Sequence, residues 1–268
     1  MATDFWIVDT FSSDSFQGIP SAIFFVNNFD NEKLLQDVAM EINTPETIFI
    51  KELENGDFES MCFTPKVKGL YFGNGLFAAA KAINEKMGKK EFNIISGIRI
   101  FSTSLCDSGE VKIRFSTVVL DKVTMPVNLD SALNDEIIVS IAESKDDLIV
   151  EIRSPKRLVN LAPNMDILSG MRYNSFIITA DTHYETDVAY DFCVKVFAPK
   201  LGVFSDIITP ISNAKLAAYW SRRMEKVNLV GSRASLCNGG LANIKHEKEF
   251  TYVSGNCVIS TRGTMLAF

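Results

Sequence analysis

Two short stretches put backbone donors where an anion could sit. Gly73-Asn74-Gly75 opens an alanine-rich run, Leu76 to Met87, and Thr209-Pro210-Ile211-Ser212 opens the run from Pro210 to Met224. If each run is a helix, its first turn carries N–H groups without intrahelical partners and the positive end of the helix dipole, the usual means of holding a carboxylate or phosphate. Glycine lets an anion approach the main chain at the first, and Asn74, Thr209 and Ser212 add side-chain hydrogen bonds. At the second, Pro210 has no N–H and Ile211 adds bulk, so the anion pocket there is the weaker one. Thiol and imidazole chemistry is poorly supplied. Cys62, Cys106, Cys193, Cys237 and Cys257 are far apart with no C-x-x-C pair, and the histidines are His183 and His246 alone. Neither a zinc site nor an activated thiolate is expected, and reduced, mostly buried thiols are.

The elements that must position these residues follow from pattern. Phe5 to Phe11 and Ser21 to Val26 are rich in β-formers and flank the turn-dense Ser12 to Pro20, so the chain opens strand, loop, strand. Leu34, Leu35, Val38, Ala39 and Ile42 recur at helical spacing, with Asp30 or Asn31 placed to cap the helix from Asn31 to Ile42. Asn43-Thr-Pro-Glu-Thr47 breaks it, and Thr47 to Ile50 runs as a strand. Asn55-Gly56 predicts a hairpin returning through Phe58 to Thr64. After the helix at Leu76 come strands near Phe92 to Ser102 and Gly109 to Leu120. A linker, Asp121 to Asp135, leads to strands at Ile137 to Ala142 and Asp147 to Ile152 and a helical stretch from Pro155 to Leu168 interrupted at Pro163. Strands at Phe176 to Thr179 and Asp191 to Ala198 precede the helix from Pro210 to Met224, which has Pro at its favoured first turn. Val227 to Arg233, Ala242 to Ile244, Phe250 to Val253 and Cys257 to Ser260 complete the strands.

The second half echoes the first. At a shift of 134 positions (191 minus 57), Asp57-Phe58 falls on Asp191-Phe192, Phe63, Pro65 and Lys66 on Phe197, Pro199 and Lys200, and Ala80-Lys81 on Ala214-Lys215. The 268 residues therefore divide into two copies of one unit, 1–120 and 121–268, with the last strand free to return to the first. In each copy many strands accompany one long, small-residue helix with little polar surface. A helix that apolar is best buried inside a curved sheet, and the space between two such units is where a small ligand is expected.

Composition limits the partners. With 47% hydrophobic and 22% charged residues the chain has material for substantial cores, and 33 acidic against 27 basic residues give a net charge of −6 without a basic stripe. Nucleic acid is not an expected partner. No apolar run reaches membrane-spanning length and the N-terminus has an acid where a signal peptide has a basic region, so a cytosolic location is expected and a membrane is not.

The series Phe5-Trp-Ile-Val-Asp-Thr-Phe, Gly18-Ile-Pro-Ser-Ala, Asn43-Thr-Pro-Glu-Thr-Ile-Phe, Phe63-Thr-Pro and Phe72-Gly-Asn, with Asp191 to Trp220 as a second signature, resembles the PhzF (phenazine biosynthesis-like) family over the whole chain. The resemblance implies the diaminopimelate-epimerase fold, an α+β arrangement of two pseudo-symmetric domains, each a barrel-like sheet around a central helix. It also implies cofactor-independent isomerase chemistry, in which a glutamate moves a proton between two carbons of a small carboxylate, and a homodimer. The family glutamate falls on Glu46 in Thr44-Pro-Glu46-Thr47, and the family aspartate of the second domain on Asp206. Position alone favours a surface glutamate at a strand edge for Glu46 and a turn or cap aspartate for Asp206; the family pattern favours acid/base roles, for which a partly buried carboxyl with a raised pKa is suited.

The departures from the family are chemical. Gly73-Asn74 stands where the family has Gly-His, so a proton relay becomes a neutral amide. Ser205-Asp206-Ile207 and Thr209-Pro210-Ile211-Ser212 replace Glu-Asp-Pro and Thr-Gly-Ser-Ala, and Gly18-Ile19-Pro20 replaces Gly-Asn-Pro. Two functions are therefore compatible with the sequence: a PhzF-like isomerase using Glu46 and Asp206, or a catalytically degenerate member that binds a metabolite or a protein.

Overall fold

Strands and helices alternate in two runs of one pattern. A computed structural model describes residues 2–69, 73–183, 188–201, 209–234 and 240–266. The first run is β1 (Thr3–Thr10), β2 (Ile19–Phe25), α1 (Glu32–Ile42), β3 (Glu46–Glu52), β4 (Phe58–Phe63), α2 (Gly75–Met87), β5 (Glu91–Ser96), β6 (Arg99–Leu105) and β7 (Val111–Ser116). After α3 (Leu129–Ala132) the second run is β8 (Ile138–Ser144), β9 (Asp147–Ile152), α4 (Pro155–Val159), α5 (Met165–Gly170), β10 (Ser175–Asp181), β11 (Phe192–Phe197), α6 (Pro210–Met224), β12 (Asn228–Arg233) and β13 (Leu241–His246), and β14 (Phe250–Gly255) and β15 (Cys257–Met265) follow.

The pairing shows the duplication directly. From β1 to β6 neighbouring strands pair antiparallel, parallel, antiparallel, parallel, antiparallel, and from β8 to β13 the same order recurs. Each parallel step needs a helical crossover. In the first unit these are α1 and α2, and in the second α4 with α5, then α6. The two compact units are Met1–Phe115 with Tyr252–Phe268, and Ser116–Thr251. The echoed aspartates explain part of the sequence repeat. Asp57 and Asp191 each precede a strand and accept the backbone amide of the parallel neighbour, Asn93 at 2.9 Å and Val230 at 2.8 Å.

The first unit builds on both faces of β2, β3 and β4. Ala22, Phe24, Phe49 and Phe63 pack on one face against Leu35, Val38 and Ala39 of α1. Asn31 caps that helix, its side chain accepting from Leu34 N at 3.1 Å, and Asn43 ends it in the left-handed conformation. The other face meets α2, which packs on β1, β2, β3, β6 and β15 and is buried along Gly75 to Ala80. Gly75, Ala78, Ala79, Ala80 and Ala82 let the sheet come close around it, and Leu76, Phe77 and Ile83 fill the core.

Three expectations change in detail. The strand expected from Phe92 to Ser102 is a hairpin, β5 and β6, because Gly97 takes a positive φ of 57° and reverses the chain. The linker from Asp121 to Asp135 holds α3 and a bridge from Asp121 to Glu143. The helix of the second unit is not apolar all round. Pro210, Ala214, Leu216, Ala217 and Trp220 are buried, but Lys215, Tyr219 and Arg223, spaced four apart, reach carboxylates of β9. Lys215 pairs with Asp147, and Tyr219 and Arg223 bind Glu151 at 2.5 and 2.8 Å. No described helix is long and apolar enough to cross a membrane.

Candidate active site

Glu46 is fixed by the way the chain leaves α1. After left-handed Asn43, the Thr44 hydroxyl donates to the Glu46 carbonyl at 3.0 Å and meets the Thr47 hydroxyl at 3.2 Å, so Pro45 turns outward and Glu46 begins β3. The carboxylate then points beneath the start of α2. Gly73 N donates to Oε1 at 2.8 Å and Gly75 N to Oε2 at 2.5 Å. Glycine at 75 is a steric requirement, since a Cβ there would lie 2.4 Å from Ile48 Cδ1 and 2.8 Å from Glu46 Oε2. The anion expected at this helix start is thus the chain's own carboxylate, and Gly73 and Gly75 orient it.

Burial pushes the Glu46 carboxyl up from 4.5 to about 7, against the Gly75 and Gly73 amides, which lower it. Such a group exchanges protons near neutrality, as an acid/base on carbon must. Cys62 lies within reach of that charge. Burial first, and Glu46 second, raise its thiol well above the usual range, which keeps it protonated. Cys193 and Cys257 are also buried and unbridged, whereas Cys106 is exposed, and Cys237 lies outside the described residues.

Asn74 is the N-cap of α2 and is 1% exposed, yet its side chain makes no capping bond and its oxygen has no partner among the described residues. Ser21 was not among the expected site residues. It is the register partner of Glu46 across β2 and β3, fully buried, and its hydroxyl has no partner among the described residues. The signal available in the sequence was one hydroxyl in the otherwise apolar Ile19-Pro-Ser-Ala-Ile-Phe-Phe25.

In the second unit Thr209 and Ser212 spend their polar atoms on each other. Thr209 Oγ1 accepts from Ser212 N at 3.1 Å, Ser212 Oγ accepts from Thr209 N at 3.1 Å and donates to Thr209 O at 2.6 Å, a reciprocal cap for α6. Asp206 lies outside the described residues.

Comparison with known proteins gives the family and the fold. A family model described as phenazine biosynthesis-like protein matches residues 8–263. An uncharacterised isomerase of Halalkalibacterium halodurans is 25% identical, covering 99% of both chains, and one of Pseudomonas aeruginosa is 27% identical over 96% of each. The crystal structure of a PhzF-family protein from Enterococcus faecalis superposes with a TM-score of 0.88 at 20% identity, covering 99% of both chains. The fold is the α+β diaminopimelate-epimerase type, as its structural neighbours among PhzF and epimerase proteins share. With the duplicated strand order, the glycine-held glutamate and a family match over nearly its whole length, the chain belongs to the phenazine biosynthesis-like (PhzF) family.

Proposed function

We propose that this protein is a cofactor-independent isomerase that moves a proton on a small carboxylate substrate, with Glu46 as the acid/base. One observation carries the reading: a carboxyl clamped by two backbone amides, yet raised by burial to a pKa of about 7. The ionised form takes a proton from a carbon next to the substrate carboxylate, and the bonding pair passes into the carboxylate as an enolate. The neutral form then returns the proton to carbon, so atoms and charge balance without a redox partner. Both forms are populated near neutral pH, as a two-way transfer requires. Asp206 is carried into this mechanism by the family pattern, as the acid of the second half. The isomerase names of the curated relatives support the reaction class.

The test is deuterium wash-in. The protein is incubated in D2O with a panel of chiral amino- and hydroxycarboxylates, and exchange at carbon is followed by proton NMR. Exchange by wild type and a fall of roughly 10²–10⁴-fold in Glu46→Gln is the expected result. Equal exchange by the variant would end the assignment of Glu46.

A further inference from the structure

Burying a polar atom without a partner carries a desolvation cost, so its presence in a folded chain needs a reason. Two such atoms belong to residues that neighbour Glu46, one in the sheet register and one at the start of α2. Ser21 pairs with Glu46 in the parallel β2–β3 register, and Ile23 with Ile48 two residues on. Ala22, Phe24 and Phe49 face α1, so Ser21 and Glu46 stand side by side on the opposite face, where Ile48 closes on Gly75. Asn74 sits between the two glycines whose amides hold Glu46. One polar atom therefore comes from the sheet, Ser21 Oγ, and one from the helix start, Asn74 Oδ1, and neither has a hydrogen-bond partner among the described residues. With the Gly73 and Gly75 amides committed to Glu46, the buried atoms left without a partner among the described residues are an acceptor, the Asn74 oxygen, and a hydroxyl able to accept or donate. Packing does not ask for the hydroxyl, since the following residues of β2, Ala22, Ile23 and Phe24, are apolar and buried.

We propose that Ser21 and Asn74 form a subsite beside Glu46 for the hydrogen-bond donor of the substrate, an ammonium or hydroxyl group next to its carboxylate, and that Ser21 is a substrate-positioning residue. This rests on the isomerase reading for the location of the site and adds the substrate class, an amino- or hydroxycarboxylate.

The experiment compares acetate, glycolate and glycine, which share a carboxylate and differ in the donor beside it, by ¹H–¹⁵N NMR titration of wild type and Ser21→Ala. Wild type should bind glycolate or glycine about tenfold more tightly than acetate, the worth of one hydrogen bond, and Ser21→Ala should reduce that ratio to about twofold or less. The ligand-free variant should melt no lower than wild type, because its hydroxyl makes no bond in the fold. A ratio unchanged by the substitution, no preference or no binding by wild type up to about 0.1 M, or a clear drop in melting temperature of the variant would each overturn the assignment. A preference lost in Ser21→Ala without any deuterium exchange by wild type would uphold the subsite and end the isomerase reading. Exchange that Ser21→Ala leaves unchanged in rate and KM would do the reverse.

Discussion

Replacing Glu46 by Gln should change how stability depends on pH. The folded protein holds this carboxyl at about 7, whereas its ordinary value is 4.5. Below pH 4.5 both folded and unfolded chains carry it neutral and it brings no penalty. As pH rises from 4.5 to 7 the unfolded chain ionises first, so the unfolded state gains about 1.4 kcal/mol per pH unit. Wild type therefore loses about 3 kcal/mol over this window through this one group, and the loss levels off above the folded value. Glutamine does not titrate. It keeps an oxygen for one glycine amide and sets an NH2 group against the other, a cost that does not vary with pH. The informative quantity is thus the difference between the two proteins as a function of pH. Urea or thermal unfolding at pH 4, 6 and 8 should show the variant gaining on wild type by about 3 kcal/mol between the extremes, on the order of 6–10 °C in melting temperature. A difference that stays flat with pH would refute the raised carboxyl. A difference that moves in favour of wild type would mean that the amides outweigh burial.

Further outcomes follow from the same geometry. Gly75→Ala places a Cβ against Ile48 and the Glu46 carboxylate, so it should cost about 1–3 kcal/mol in urea unfolding and, by breaking the Gly75 N–H bond that lowers the carboxyl, push the Glu46 pKa further up in a ¹³C-carboxyl titration; a wild-type titration would count against the clamp. Ser212→Ala removes one half of the reciprocal cap of α6 and should cost about 1 kcal/mol, measured by the same unfolding. Trp220 is fully buried, stacks on Phe192 and donates to Thr179 Oγ1 at 3.1 Å; Trp220→Ala should cost about 3–5 kcal/mol, and a loss under about 1 kcal/mol would contradict that packing. If Glu46 must be ionised to begin the reaction, kcat/KM should rise with pH through a limb near 7, and a rate independent of pH from 5 to 9 would exclude that role.

By itself the sequence determined the duplicated plan, because that plan is written in local signals. The helical spacing of Leu34 to Ile42, Asn31 as a cap, the Asn55-Gly56 turn and Pro210 at a helix start all act within a few residues of themselves. The Asp57 and Asp191 echo also survived, as each performs the same clamp on a neighbouring strand. Glu46 was singled out through the family pattern, since nothing local separates it from a surface glutamate.

Only the tertiary structure decided what surrounds that glutamate. Whether the amides at Gly73 and Gly75 wait for a ligand or hold a side chain depends on where β3 begins relative to α2, a contact across 27 residues or more of chain. Ser21 lies beside Glu46 solely through the register of β2 on β3, which the helix between them sets and no short motif records. The polar row on α6 likewise acquires its meaning from Asp147 and Glu151, distant in sequence and brought under it by the sheet. Local chemistry chooses the elements, but the desolvation that gives Glu46 its proton affinity exists only once those elements close around it.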